Sequence, residues 1–314
     1  MDELLVVIGG STASGKSALA QALALRMGGV IVNADSQQLF HDLPTLTARP
    51  AEHETTTVPH LLYGVLGPEE QPSIGRWLAL TAETLATIRA QRRPALVVGG
   101  SGLYLHALLH GVPAMPEIPR DLRNELRAWA MTRPSAEIHA RLSEVDPAMA
   151  ARLCPGDRQR MLRALEVRLA SGRSLLDWQG AEPQQLPLPG RIVGIALLPP
   201  ADVVAPRIQV RLSAMLAAGA MREVEELLAR RPDALSLPVA KVHGMRELAA
   251  VARGELSQDA AVAKIEGQIR RYAKRQRTWF RYQLPELAAC VEVGESDSAL
   301  RFAADAVDRA GVHD

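Results

Sequence analysis

The chain of 314 residues has only two cysteines, Cys154 and Cys290, far apart and without metal-ligand spacing. That excludes a disulfide scaffold and fits a reduced cytoplasmic setting. Charge of one sign is also missing: the net charge is +1, so no global basic field advertises a nucleic-acid partner. Such a partner has to be read from local patches. No apolar run approaches the ~20 residues of a membrane span, so no membrane partner is expected. The opening MDELLVVIGG is acidic with a short apolar run, which reads as a core strand rather than a signal peptide. The histidines are scattered and offer no metal set. There is no repeat, no low-complexity tract and no separate interface segment, so a monomer is expected.

What the chain does have is GGSTASGKSALAQAL, directly after the apolar LLVVI. Gly10, Ser11, Thr12, Ala13, Ser14, Gly15, Lys16 and Ser17 fit a phosphate-binding loop between a strand and a helix. Its amides and the helix start face an anion, Lys16 adds a point charge, and the Ser17 hydroxyl can ligate Mg²⁺. Leu4 to Ile8 reads as a buried strand. Gly15 to Met27 reads as a helix with Leu19, Leu23 and Met27 on one face. Val30 to Asn33 and Ala95 to Val98 are further strands, with a helix between them, and Arg191 to Pro199 is a fourth. The pattern predicts an α/β fold: a parallel sheet of the P-loop NTPase type flanked by helices. Residues 116–189 show no strand signal and predict an all-helical insertion domain. Residues 1–115 and 190–314 then form the core domain with its carboxyl-terminal helices.

Three further stretches carry chemistry. In ADSQQ, Asp35 follows the end of a parallel strand, where ligands of open α/β sheets bind. Its carboxylate points into the same cleft as the loop, or it caps a following helix with Ser36. In VVGGSGLY the strand ends in Gly99 and Gly100, with Ser101 next. An ATPase of the phosphate-loop class usually ends a strand there in a Mg²⁺-holding Asp, so its absence weakens an ATP reading. Gly99, Gly100 and Gly102 permit close backbone approach to a ligand. Two helices are basic. GDRQRMLRALEVRLASG starts at an Asp157 cap and ends at Gly172, with Leu162, Leu165 and Leu169 as its buried face. RRYAKRQRTWFR contains six basic residues and no acid. Its Arg270, Lys274, Arg277 and Arg281 make one stripe, and Tyr272, Gln276 and Trp279 another. Like charges at that spacing cost helix stability, and a polyanion opposite would offset them. At this level two readings stand: an ATP-using small-molecule or nucleotide kinase, and a non-catalytic RNA-binding protein whose phosphate site is vestigial.

The chain resembles the tRNA dimethylallyltransferases, also called tRNA isopentenyltransferases. The likeness rests on GSTASGKSALA, VNADSQQLF, TARP at Thr47 to Pro50, VPHLL, GGSGLYLHALL, DRQRMLRALEV, MLAAGAMREVEELL and RRYAKRQRTWFR, in that order. The resemblance implies transfer of the dimethylallyl group of dimethylallyl diphosphate to N6 of the adenosine immediately 3′ of a tRNA anticodon. It implies Asp35 as general base, assisted by Ser101. Lys16, the loop amides, Mg²⁺ near Ser17 and Arg211 would stabilise the leaving diphosphate, with Arg207 as the nearby rival. It further implies tRNA contacts from Asp35, Ser36, Gln37, Gln38 and Ser101 at the target base. Others would come from Arg123, Gln159, Arg160, Met161, Leu162 and Arg163 on the insertion, and from Arg270, Lys274 and Arg277. The chain departs from the family pattern in several places: Ser11 stands for Pro, Ser17 and Ser101 stand for Thr, FHDLPTLTARP (Phe40 to Pro50) stands for YRGMDIGTAKP, and HGMRE (His243 to Glu247) stands for VGYRQ.

Overall fold

The computed structural model describes residues 4–188, 190–287, 290–291 and 296–311. The acidic start, Met1 to Glu3, and residue 189, the expected end of the insertion, lie outside the described residues. The strands are β1 (Leu4–Gly10), β2 (Val30–Asn33), β3 (His60–Leu61), β4 (Ala95–Gly99), β5 (Val112–Pro113), β6 (Pro183–Gln184), β7 (Arg191–Leu197) and β8 (Cys290–Val291). Six of them form a parallel sheet in the order β3-β2-β4-β1-β7-β8. The chain divides into two compact units, residues 1–109 with 186–314, and residues 110–185.

The first unit holds the six-stranded sheet. Its helices are α1 (Lys16–Met27), α2 (Glu52–Thr57), α3 (Ile74–Ala90) and α4 (Gly102–His110). In the second unit follow α5 (Arg120–Met131), α6 (Ser135–Val145), α7 (Pro147–Ala150), α8 (Arg158–Ser171) and α9 (Leu175–Gln179). The chain returns to the first unit with α10 (Ala201–Ala217), α11 (Ala220–Arg230), α12 (Met245–Ala252), α13 (Gln258–Gln283) and α14 (Ser296–Gly311). β1 and β4 are unbroken apolar runs, as expected for central strands of a parallel sheet with helices on its faces. Val6, Ile8, Leu23, Ile31, Leu96 and Ile195 make one core with α1. Burying each such side chain contributes about 1.5–3 kcal/mol.

Strand order is what builds the site. β4 lies between β1 and β2, pairing with both. The carboxyl ends of three adjacent strands therefore carry the phosphate loop, the Gly99–Gly102 turn and Asp35, side by side.

The second unit is helical apart from the β5–β6 ladder of two residues on each side. Its Pro-containing partner strand lies in AEPQQ, where extended backbone needs no alternating pattern. The inward face of α8 differs from the expected one. Met161, Ala164 and Leu165 enter the core with Leu126, Ile138 and Leu142, whereas Leu169 is 41% exposed and Leu162 only packs alongside. Helices α5 and α6 both pack on α8, and the face they cover runs through Met161 and Leu165, an i, i+4 pair. Arg158 turns its guanidinium to the carbonyls of Ala130 (2.6 Å) and Arg133 (2.7 Å), closing the carboxyl end of α5.

Candidate active site

The phosphate loop folds as its sequence demands. Gly15 takes φ 94° and Ala13 φ 58°; the latter is a left-handed conformation that costs a non-glycine residue energy and recurs at ligand clamps. The hydroxyls of Ser11 and Ser14 are buried without a hydrogen-bond partner. Lys16 is buried, and its ammonium donates to the Ser11 carbonyl at 3.1 Å. Burial pushes Lys16 down to about 8; Asp35 opposes the shift and Arg211 adds to it. Two orphaned hydroxyls and a desolvated ammonium at a helix start are what an anion would satisfy.

The sign of that shift makes a prediction. Before an anion binds, Lys16 loses its proton as pH rises through about 8. A bound diphosphate favours the charged ammonium, so binding above that pH must take up a proton. At about pH 9, calorimetry in buffers of different ionisation enthalpy will show more proton uptake per pyrophosphate bound for the wild-type protein than for a variant without the ammonium. Lys16→Met will lose that uptake, and equal uptake in both proteins would contradict the assignment.

Asp35 does both things its position allows. Its Oδ1 accepts the Gln37 N–H at 3.0 Å and so caps the turn Ser36–Leu39. Asn33 accepts the Asp35 N–H at 2.8 Å and donates back to the Asp35 carbonyl at 3.1 Å. Ser101 stands across from it: its Oγ accepts the Ser36 N–H at 3.0 Å and lies 3.2 Å from Ser36 Oγ. The spacing between the two segments is set by Gly99, where a Cβ would lie 2.0 Å from the Ala34 carbonyl oxygen. The glycines of this turn are therefore not open to a ligand as the sequence suggests. A Cβ at Gly100 would meet the Gln276 amide at 2.2 Å, and one at Gly102 the Trp279 ring at 2.0 Å. They admit α13, whose second stripe, Tyr272, Gln276 and Trp279, lies over the turn.

One pocket joins Asp35 to Thr12 of the phosphate loop. Asp35, Thr12, Arg211, His243 and Tyr272 line it together with Gln37, Thr47 and apolar Leu46, Ile208, Leu212, Met215, Val242 and Ile269. Of the two candidate arginines, Arg211 is in this lining. Burial lowers its guanidinium and Asp35 raises it. Tyr272 and Tyr104 are both raised by burial and then by Asp35, the second to about 12, so both phenols stay protonated. His243 is lowered, first by burial, with Asp35 opposing; its ring tilts against Tyr272 at 4.9 Å. In the sequence His243 marks only a departure from the family pattern, because no motif around it points to a site residue. Its backbone N–H donates to Gln37 Oε1 at 2.9 Å. Gln38 donates to the carbonyls of Thr47 (3.2 Å) and Ala48 (2.8 Å), so TARP serves to anchor the Asp35 segment.

Other expected contacts fall elsewhere. Arg270, Lys274 and Arg277 line a second cleft of ≈ 360 Å³ with Ser11, Pro199, Val204 and Ile208. The acid-free segment is not without an acid: Arg270 pairs with Glu266, one turn upstream. In the second unit, Gln159 and Arg160 are exposed and Arg123 and Arg163 half-buried. Arg160 lies 3.5 Å from Asp157, and Arg163 and Arg127 each 3.6 Å from buried Glu166. Met161 is fully buried, which removes its side chain from any RNA contact; it is apolar and sits on the core face of α8. Among the described residues, no group of three or more His, Cys, Asp or Glu could hold a metal ion, and no helix is long and apolar enough to cross a membrane.

The sequence matches the family model described as IPP transferase over residues 38–283 and that described as isopentenyl transferase over residues 3–62. It is 48% identical over 281 residues to a tRNA dimethylallyltransferase of Rhodospirillum rubrum, covering 89% of this chain and 86% of that protein. A tRNA dimethylallyltransferase of Phenylobacterium zucineum is 47% identical over 294 residues, covering 92% of this chain and 94% of the relative. The fold matches the full-length tRNA isopentenylpyrophosphate transferase of Bacillus halodurans with a TM-score of 0.69 and 28% identity, over 98% of both chains.

Proposed function

The chain belongs to the IPP transferase family of tRNA dimethylallyltransferases, and from that premise we propose that it moves the dimethylallyl group of dimethylallyl diphosphate to N6 of the adenosine immediately 3′ of a tRNA anticodon. The protein is an enzyme that transfers a prenyl group to tRNA; the kinase and the non-catalytic RNA-binding readings are not favoured. The observation that supports the finer reading is the pocket that Asp35 and Arg211 share with Thr12 of the phosphate loop, walled by apolar side chains.

The adenine N6 lone pair attacks C1 of the donor, the C1–O bond breaks, and its electron pair leaves on the diphosphate. The N6 proton goes to Asp35, whose Oδ1 is fixed by the Gln37 N–H while Oδ2 remains to accept. Ser101, locked to Ser36, sits at the same base. Charge on the departing oxygens falls to Lys16, the loop amides and Arg211. The Leu46, Ile208, Leu212, Met215, Val242 and Ile269 side chains shield the allylic carbon from water. The donor set also suits Mg²⁺, which takes one or two protein oxygens plus phosphate oxygens and water. The Ser17 hydroxyl at the start of α1 would hold the ion, which when bound neutralises diphosphate charge.

The target base has to leave the anticodon stack to reach Asp35. Ser36, Gln37 and Gln38 frame its entry. Arg123, Gln159, Arg160, Leu162 and Arg163 would grip the anticodon stem-loop, and Arg270, Lys274 and Arg277 its phosphates. A cytoplasmic monomer is the setting this implies. Incubation with labelled dimethylallyl diphosphate, Mg²⁺ and unmodified tRNA tests the proposal: label enters RNA if it is right and stays in the donor if it is wrong.

A further inference from the structure

Gln276 is buried in α13, 4% exposed, in a helix segment otherwise crowded with cations. Both ends of its carboxamide are used. Oε1 accepts the Thr12 N–H of the phosphate loop at 2.8 Å, and Nε2 donates to the Gly100 carbonyl at 2.8 Å. The Tyr272 side chain, one turn earlier, faces both Gln276 and Ser101. A single amide thus ties the loop proposed to hold the donor to the turn that carries Ser101. Through Ser101 it reaches Ser36, next to Asp35.

We propose that Gln276 is a positioning residue for prenyl transfer: it fixes the distance between the donor-holding loop and the base-holding turn, and so the approach of N6 to C1. The proposal rests on the function given above. Its physical basis is the tolerance of such an alignment, since a displacement of about 1 Å can cost on the order of 100-fold in rate. The demand on the side chain is strict. One end must accept from an N–H and the other must donate to a carbonyl. Methionine fills the same volume and bonds neither; an ionised glutamate accepts from Thr12 but turns an oxygen toward the Gly100 carbonyl. A protonated glutamic acid can do both.

The test uses the full-length protein, labelled dimethylallyl diphosphate and unmodified tRNA, with folding followed by thermal melting. Gln276→Met is expected to lower kcat by about 10–100-fold, with KM for both substrates within about threefold of wild type. Gln276→Glu is expected to recover as pH falls from about 8 to about 6, its kcat relative to wild type rising as the buried carboxyl takes up a proton. That ratio decides the matter even where the methionine variant folds poorly, because a purely structural role leaves it flat. A kcat for folded Gln276→Met within about threefold of wild type, or a pH-independent ratio for Gln276→Glu, would overturn the proposal. Absence of transfer by the wild-type protein would instead overturn the proposed function, and this inference with it.

Discussion

Asp35→Asn will lower kcat by about 10²–10⁴-fold, the usual contribution of a positioned general base, while the protein keeps its fold. Asparagine is chosen because Asp35 has two tasks. Its Oδ1 caps the turn Ser36–Leu39 through the Gln37 N–H, and an asparagine oxygen can do the same. What it cannot do is take a proton from N6. Asp35→Ala removes both functions and should lose, in addition, about 0.5–2 kcal/mol of stability from the missing cap. Comparing melting temperature and kcat for the two variants separates the roles. A turnover for Asp35→Asn near that of wild type would remove Asp35 from the chemistry and leave it a capping residue.

The second large effect belongs to Arg211. Arg211→Ala should cost about 10²–10³-fold in kcat, the scale for losing one group that stabilises charge developing in the transition state. Arg207→Ala, one helical turn earlier and outside the pocket lining, should cost far less. Arg211 is half-buried and faces Asp35, so its loss also removes a neighbouring positive charge from the base. Single-turnover measurement with saturating donor isolates the chemical step. Equal losses for the two arginines, or a larger one for Arg207, would reverse the assignment.

Local signals in the sequence were enough for much of this. Unbroken apolar runs at Leu4 to Ile8, Val30 to Asn33 and Ala95 to Val98 can only be strands covered on both faces, and the loop between the first of them and α1 carries its chemistry in its composition. Strand order is not local. Nothing between Val30 and Val98 says that β4 inserts between β1 and β2, yet that insertion brings Ser101 to Ser36. The Gly99–Gly102 turn is not legible for the same reason: glycine reports close approach, and only the three-dimensional structure reveals that the approaching atoms belong to Ala34, Gln276 and Trp279. On α8 the apolar periodicity admits two neighbouring faces, and packing by α5 and α6 selects the one through Met161, so Leu169 is left in solvent. Gln276 was visible as a member of a second stripe on α13, but its two partners are 264 and 176 residues away.

The central claim is that the phosphate loop serves chemistry at carbon rather than at phosphorus. The most direct test is nucleoside mass analysis of tRNA after incubation with the pure protein, dimethylallyl diphosphate and Mg²⁺. The predicted result is N6-dimethylallyladenosine at the position 3′ of the anticodon, formed without ATP and absent with Asp35→Asn. Unmodified adenosine there, or ATP-dependent phosphorylation of a substrate in its place, would contradict it.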